Sequence, residues 1–109
     1  VTGVNWDVKL MLVQNNGFDA TEATLLAGYN YPLAQRKLYN ETNGVQGAFV
    51  VATNTSWGID NGMAADAPIW CALFDSLGTA GILNCGATAN ANTNVDIERV
   101  TTKKSGRGE

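Results

Sequence analysis

The chain contains no histidine among its 109 residues. Ser-His-Asp and Cys-His catalysis both require an imidazole base, and most catalytic zinc sites use imidazole ligands. The missing histidine therefore excludes these mechanisms for the chain acting alone. No metal and no other cofactor is expected.

Cysteine is almost as scarce, since Cys71 and Cys85 are the only two. Two cysteines are too few for a disulfide framework, and their spacing fits neither a zinc knuckle nor a CxxC redox motif. They are expected to be buried thiols. The alternative is a bridge, which would form if the helix carrying one packs over the strand carrying the other.

Charge and long apolar runs are also lacking. The formal net charge of −3 gives no reason to expect a nucleic-acid partner. No apolar run approaches the roughly 20 residues needed to cross a bilayer, and the first residues lack the pattern of a signal peptide. We expect one domain over residues 1–98, followed by a polar, basic and disordered tail at 99–109. The chain itself gives no indication of its compartment.

Three short apolar runs are present, and they predict strands of a buried parallel sheet at residues 8–13, 48–53 and 82–89. The runs are continuous rather than alternating, which is typical of strands covered on both faces.

Two segments of helical periodicity separate these runs. The first is expected to begin with a capping box at residues 19–22 and to stop at 43–44, with Pro32 either bending it or starting a new helix. The second is expected to be capped by Asp66, with Pro68 in its first turn. The predicted apolar face of the first helix consists of Ala23, Leu26, Ala27, Ala34 and Leu38.

The order strand, helix, strand, helix, strand predicts an α/β fold with a three-stranded parallel sheet and right-handed crossovers. Crossovers of one hand between successive neighbours place both helices on one face of the sheet. The other face is then left for a partner, a second copy or further sequence to cover.

Amide-rich segments follow each predicted strand, at residues 15–16, 54–58 and 90–94. Ligands of open parallel sheets bind at the carboxyl ends of the strands, so these segments would share one edge. Asparagine and glycine are also good turn formers, and from pattern alone that simpler interpretation is preferred.

Three segments resemble the subtilisin-like serine peptidases, or subtilases. They read GVNWDVKLM at 3–11, FVVATNTSWG at 49–58 and GILNCGATANAN at 81–92. They occur in the order of that family, and from the first to the last they span nearly the whole chain except its tail.

The resemblance implies a substrate site built from an oxyanion-binding amide, a strand that pairs with extended peptide, and the floor of the primary specificity pocket. Carried over by position, these three parts are Asn90; Ser56, Trp57 and Gly58; and Ala87, Thr88 and Ala89. Trp57 and Ala89 depart from the family pattern, which has an aliphatic residue and a glycine there.

The resemblance also implies that the catalytic triad lies elsewhere, because subtilases carry Asp, His and Ser in that order and this stretch corresponds to the region between His and Ser. The expected function is therefore a fragment of an endopeptidase of a mostly secreted family, with a peptide substrate in the parent enzyme and no activity alone. The alternative is a non-catalytic structural or binding protein derived from a protease segment, which forms homo-oligomers through the uncovered sheet face.

Overall fold

The computed structural model of the protein describes residues 3–15, 20–56 and 63–87. The chain is mixed α/β, with two helices and a two-stranded parallel sheet. In chain order the elements are α1 (Glu22–Glu41), β1 (Ala52–Thr55), a single 3-10 turn (Ala64–Asp66), α2 (Pro68–Thr79) and β2 (Leu83–Gly86). The predicted tail at 99–109 lies outside the described residues.

Helix α1 is capped by Thr21, which is extended and accepts a hydrogen bond on its side chain from the backbone N–H of Thr24 at 3.2 Å. Thr21 thus satisfies one of the free N–H groups of the first turn. Asp19, the predicted capping residue, lies outside the described residues. The helix continues past the buried Pro32 as one element, so the expected alternative of a new start near Pro32 is wrong.

The predicted stop at 43–44 is confirmed. Asn43 and Gly44 both have positive φ, and the N–H of Gly44 donates to the carbonyl of Tyr39 at 2.8 Å. A left-handed residue after the last turn lets the chain turn back and satisfy a free carbonyl, which ends the helix.

Helix α2 has Pro68 at its first position, as predicted, but Asp66 does not cap it. The cap position is Ala67, which makes no side-chain capping bond. Asp66 is taken up in the 3-10 turn, where its N–H donates to the carbonyl of Met63 at 3.0 Å. A residue held inside a turn cannot also be the flanking residue that caps the following helix.

The two strands pair in parallel, with Ala52 opposite Leu83 and Thr55 opposite Gly86. The expectation of an α/β chain with parallel strands is confirmed, while the third strand is not shown. Residues 8–13 run without regular structure and form no hydrogen bond to residues 48–55. Leu10 and Leu12 are 82% and 90% exposed.

The core lies between the helices and the start of β2, and Leu77 is its centre because that side chain is fully buried. The buried members are Tyr29, Leu33, Leu73, Leu77 and Ile82.

The buried face of α1 differs from the predicted one. The helix buries Tyr29, Pro32 and Leu33, while Leu26 only packs at the edge of the core. Tyr29 contacts α2 with its ring, lying edge-on to Trp70 and Phe74 at centroid distances of 5.9 and 5.4 Å. An aromatic ring supplies more buried area than the alanines of the predicted face, and this favours the observed rotation of the helix.

The cysteines are free, and the expectation that both are buried is wrong. Cys71 is half-buried on α2, and Cys85 is exposed on β2. Cys85 pairs across the sheet with Asn54, which is also exposed. No packed element in the described part of the chain covers this side of the sheet, which leaves the thiol exposed.

Arg36 joins α1 to the segment that leads into β1. Its guanidinium donates to the carbonyl of Val50 at 2.6 Å and to the side chain of Asn40 at 3.1 Å, and it lies 4.1 Å from the ring centroid of Phe49. A planar guanidinium can make these contacts together, which an ammonium cannot.

Replacing Arg36 by Met should lower the free energy of unfolding by about 1.5–3 kcal/mol, because the Val50 carbonyl loses its charged donor and Phe49 its cation. Chemical denaturation monitored by circular dichroism measures the change. Lys37→Met, at the exposed neighbouring position, is the matched control and should change stability by less than about 0.5 kcal/mol. Equal effects of the two variants would contradict the role assigned to Arg36.

Candidate functional site

The carboxyl ends of β1 and β2 lie side by side. The N–H of Ala87 donates to the carbonyl of Thr55 at 3.0 Å, which continues the parallel ladder one residue beyond Gly86. Ser56 and Ala87 are therefore neighbours, and both are exposed. We call the edge formed by residues 55–56 and 86–87 the rim. It occupies the position where parallel sheets bind ligands.

Two of the seven predicted site residues, Ser56 and Ala87, fall on this rim. The remaining five lie outside the described residues: Trp57, Gly58, Thr88, Ala89 and Asn90. Their assigned roles stay predictions.

The helix side of the sheet is polar where it approaches the rim. The hydroxyl of Tyr29 forms a hydrogen bond with the hydroxyl of Thr55, and Thr53 donates to the side chain of Asn84 at 2.7 Å. Each bond joins β1 to a different neighbour, α1 in the first case and β2 in the second. Together they hold the end of β1 in a defined position.

Sequence reasoning missed Tyr29 as a residue that positions the rim. The available signal was helical spacing, because Tyr29 and Leu33 are four residues apart and share one face of α1. Its partner Thr55 lies 26 residues away in sequence, and that contact exists only once α1 has packed beside β1.

A groove of about 910 Å³ separates residues 9–13 from residues 47–55. Gly28, Tyr29 and Pro32 of α1 also line it. Lys9 is the one charged residue on this lining among the described residues, so the walls are otherwise neutral.

Asn15 lies where the segment 9–13 meets α1. Its side-chain oxygen is buried and has no hydrogen-bond partner among the described residues. The Asn15 amide packs directly against Gly28, so closely that a Cβ at that position would overlap it. Glycine in the middle of a helix costs stability, and here it makes room for the Asn15 side chain.

The described residues contain no cluster of three or more side chains that could hold a metal ion. None of the described helices combines the length and hydrophobicity needed to cross a bilayer. What the rim and groove offer chemically is backbone: strand ends and a strand edge able to pair with an extended polypeptide.

No protein-family model, no curated protein and no solved structure matches this chain. The likeness to subtilases accordingly rests on the three sequence segments at 3–11, 49–58 and 81–92.

The packing of Asn15 on Gly28 can be tested with a double-mutant cycle. In an Asn15→Ala background, Gly28→Ala should stabilise the chain by about 0.5–1 kcal/mol, because alanine is the better helix former and the space is free. With Asn15 present that gain should be lost, giving a coupling energy of about 0.5–3 kcal/mol in denaturation experiments. Additive effects would show that the two residues do not touch.

Proposed function

We propose that the chain is the substrate-binding segment of a subtilisin-like serine endopeptidase, supplying the peptide-pairing strand and the oxyanion amide while other sequence supplies the catalytic triad. The observation that supports this most directly is the parallel pairing of β1 with β2 up to the hydrogen bond between Ala87 and Thr55.

That pairing meets a geometric requirement of the proposal. The proposed peptide-pairing residues 56–58 follow β1, and the proposed oxyanion donor Asn90 follows β2. One extended substrate can contact both only if the two strands end at the same edge of the sheet. The backbone nitrogen of Ala87 lies 3.0 Å from the carbonyl oxygen of Thr55, so β1 and β2 end side by side. Asn90 follows Ala87 by three residues and can lie at most about 11 Å from it along the chain.

Each proposed residue has a distinct role in peptide hydrolysis. The backbone of Ser56, Trp57 and Gly58 pairs with the substrate, as in strand addition. The Asn90 amide donates to the oxyanion that develops in the tetrahedral intermediate, and the small residues 87–89 form the pocket floor. The base that removes a proton from the nucleophile must come from other sequence, because this chain has no histidine.

In the parent fold, residues 8–13 add the third strand beside β1, and right-handed crossovers place both helices on one face of the sheet. Supporting this, residues 9–13 already run along the groove opposite residues 47–55. Their exposed leucines would gain cover in a sheet.

A second candidate is a non-catalytic protein that self-associates through the outer face of the sheet. One observation favours it: the cross-strand pairs Ala52–Leu83 and Asn54–Cys85 are all exposed, with Leu83 at 67%. An uncovered sheet face with an exposed leucine is a surface that another molecule can bury.

The catalytic role of Asn90 can be tested in a chimera. Residues 3–92 replace the corresponding segment of an active subtilisin-like peptidase, and kcat and KM are measured with a peptide substrate. The chimera should hydrolyse the peptide, and Asn90→Ala should lower kcat with little change in KM. The expected loss is about 100- to 1000-fold, a magnitude known from subtilisin itself.

Asn92→Ala in the same chimera is the matched control and should leave kcat within about twofold. If Asn90→Ala and Asn92→Ala behave alike in a folded chimera, the assignment of the oxyanion amide is wrong.

The isolated chain should not hydrolyse a fluorogenic peptide above the buffer rate, because it has no imidazole to activate a serine. Adding a serine-directed inhibitor should change nothing. A rate that such an inhibitor abolishes would contradict the proposed division between this chain and the triad.

A further inference from the structure

The edge of β1 that faces away from β2 has no strand partner among the described residues. The N–H of Leu83 donates to the carbonyl of Val51, and the N–H of Ala87 donates to that of Thr55. In a parallel ladder this spacing directs the backbone groups of Val51, Thr53 and Thr55 toward β2. The N–H and C=O groups of Ala52 and Asn54 then point to the opposite side, where the described residues provide no strand. Such an edge is a template for strand addition.

The groove runs along this free edge, with residues 9–13 as its far wall. Its volume of about 910 Å³ is close to that of one added strand. A strand of five or six residues, about 3.3 Å per residue long, about 4.8 Å wide and about 10 Å thick, occupies about 800–950 Å³. The gap between β1 and residues 9–13 therefore has room for one further strand.

The chemistry of the groove suits a strand with few charged residues. Apart from Lys9 at one end, no charged residue lines it among the described residues, and no carboxylate does. Residues 8–13, reading VKLMLV, have the matching composition and expose their leucines. Their backbone groups form no hydrogen bonds to β1 within one molecule.

We propose that residues 8–13 of a second copy of this chain occupy the groove between β1 and residues 9–13, reciprocally in both molecules. The dimer then has one six-stranded sheet. Its order is β2 and β1 of the first molecule, residues 8–13 of the partner, residues 8–13 of the first molecule, and β1 and β2 of the partner. The inserted segment pairs on one side with β1 and on the other with residues 9–13. This self-association uses the strand edge, not the outer sheet face, and it does not depend on the proposed protease origin.

Two-fold symmetry makes the arrangement self-completing. In this strand order, residues 8–13 of each molecule fill the groove of the other molecule. They also remain the far wall of the groove in their own molecule. One isologous contact thus pairs the β1 edge of each molecule and fills both grooves. Asn15, packed on Gly28, holds the carboxyl end of each segment to its own helix.

The test is the molar mass of the purified chain by light scattering at tens of micromolar. The expected result is twice the 11.5 kDa of one chain. Leu12→Pro removes a backbone donor from the inserted segment and should weaken dimerisation at least tenfold, whereas Leu12→Ala keeps that donor and should remain dimeric. Residues 8–13 lie outside all helices and strands, so the proline leaves the remaining fold intact by circular dichroism.

Two further variants separate the edge from the outer face. Asn54→Pro removes an N–H directed at the free edge but none used in the β1–β2 ladder, so it should also give a monomer, while Asn54→Ala stays dimeric. Leu83→Asp alters the outer face and should leave the dimer intact. A monomeric wild type overturns the proposal, as does a dimer that survives Leu12→Pro. Loss of the dimer in Leu83→Asp would instead assign the interface to the outer face.

Discussion

The parallel pairing of β1 with β2 is the interaction on which the rest of the structure depends. Four residues on each strand are joined in register, and contacts from both helices keep them there. Arg36 ties the approach to β1 onto α1, Tyr29 holds the end of β1 through Thr55, and Ile82 anchors the start of β2 in the core. The rim exists because these contacts act on both ends of one short ladder. Without these contacts the four-residue pairing would be marginal, because an isolated pair of short strands is barely stable in water.

The same pairing also leaves strand edges and one sheet face without cover from the described residues. A two-stranded parallel sheet has a free edge on each side, and parallel sheets are ordinarily covered on both faces. Here the edge of β1 faces a neutral groove, and the outer face carries Leu83 and Cys85 in the open. The proposed parent enzyme and the proposed dimer are two ways of satisfying the same edge, one with the chain's own residues 8–13 and one with a second copy's.

Local signals predicted the helices well and the strands less well. Pro68 was predicted to lie in the first turn of α2, and the Asn43–Gly44 turn was predicted to end α1. Both predictions hold because these residues favour particular backbone conformations whatever their neighbours are. The prediction that Asp66 caps α2 failed, since a capping residue must flank its helix with a non-helical backbone and Asp66 lies inside the 3-10 turn. Residues 8–13 have a strand-forming composition, but a strand needs a hydrogen-bonded neighbour, and composition alone cannot provide one.

By itself the sequence determined the alternation of apolar runs and helices, the absence of an imidazole base, and the resemblance that suggests Asn90 and residues 56–58 as substrate contacts. Only the tertiary structure decided that Thr55 and Ala87 meet at one rim, that Tyr29 positions it, and that a strand-sized groove lies beside β1. The physical reason is sequence separation. Periodicity and turn chemistry act over a few residues, whereas these contacts join residues that become neighbours only when the helices pack.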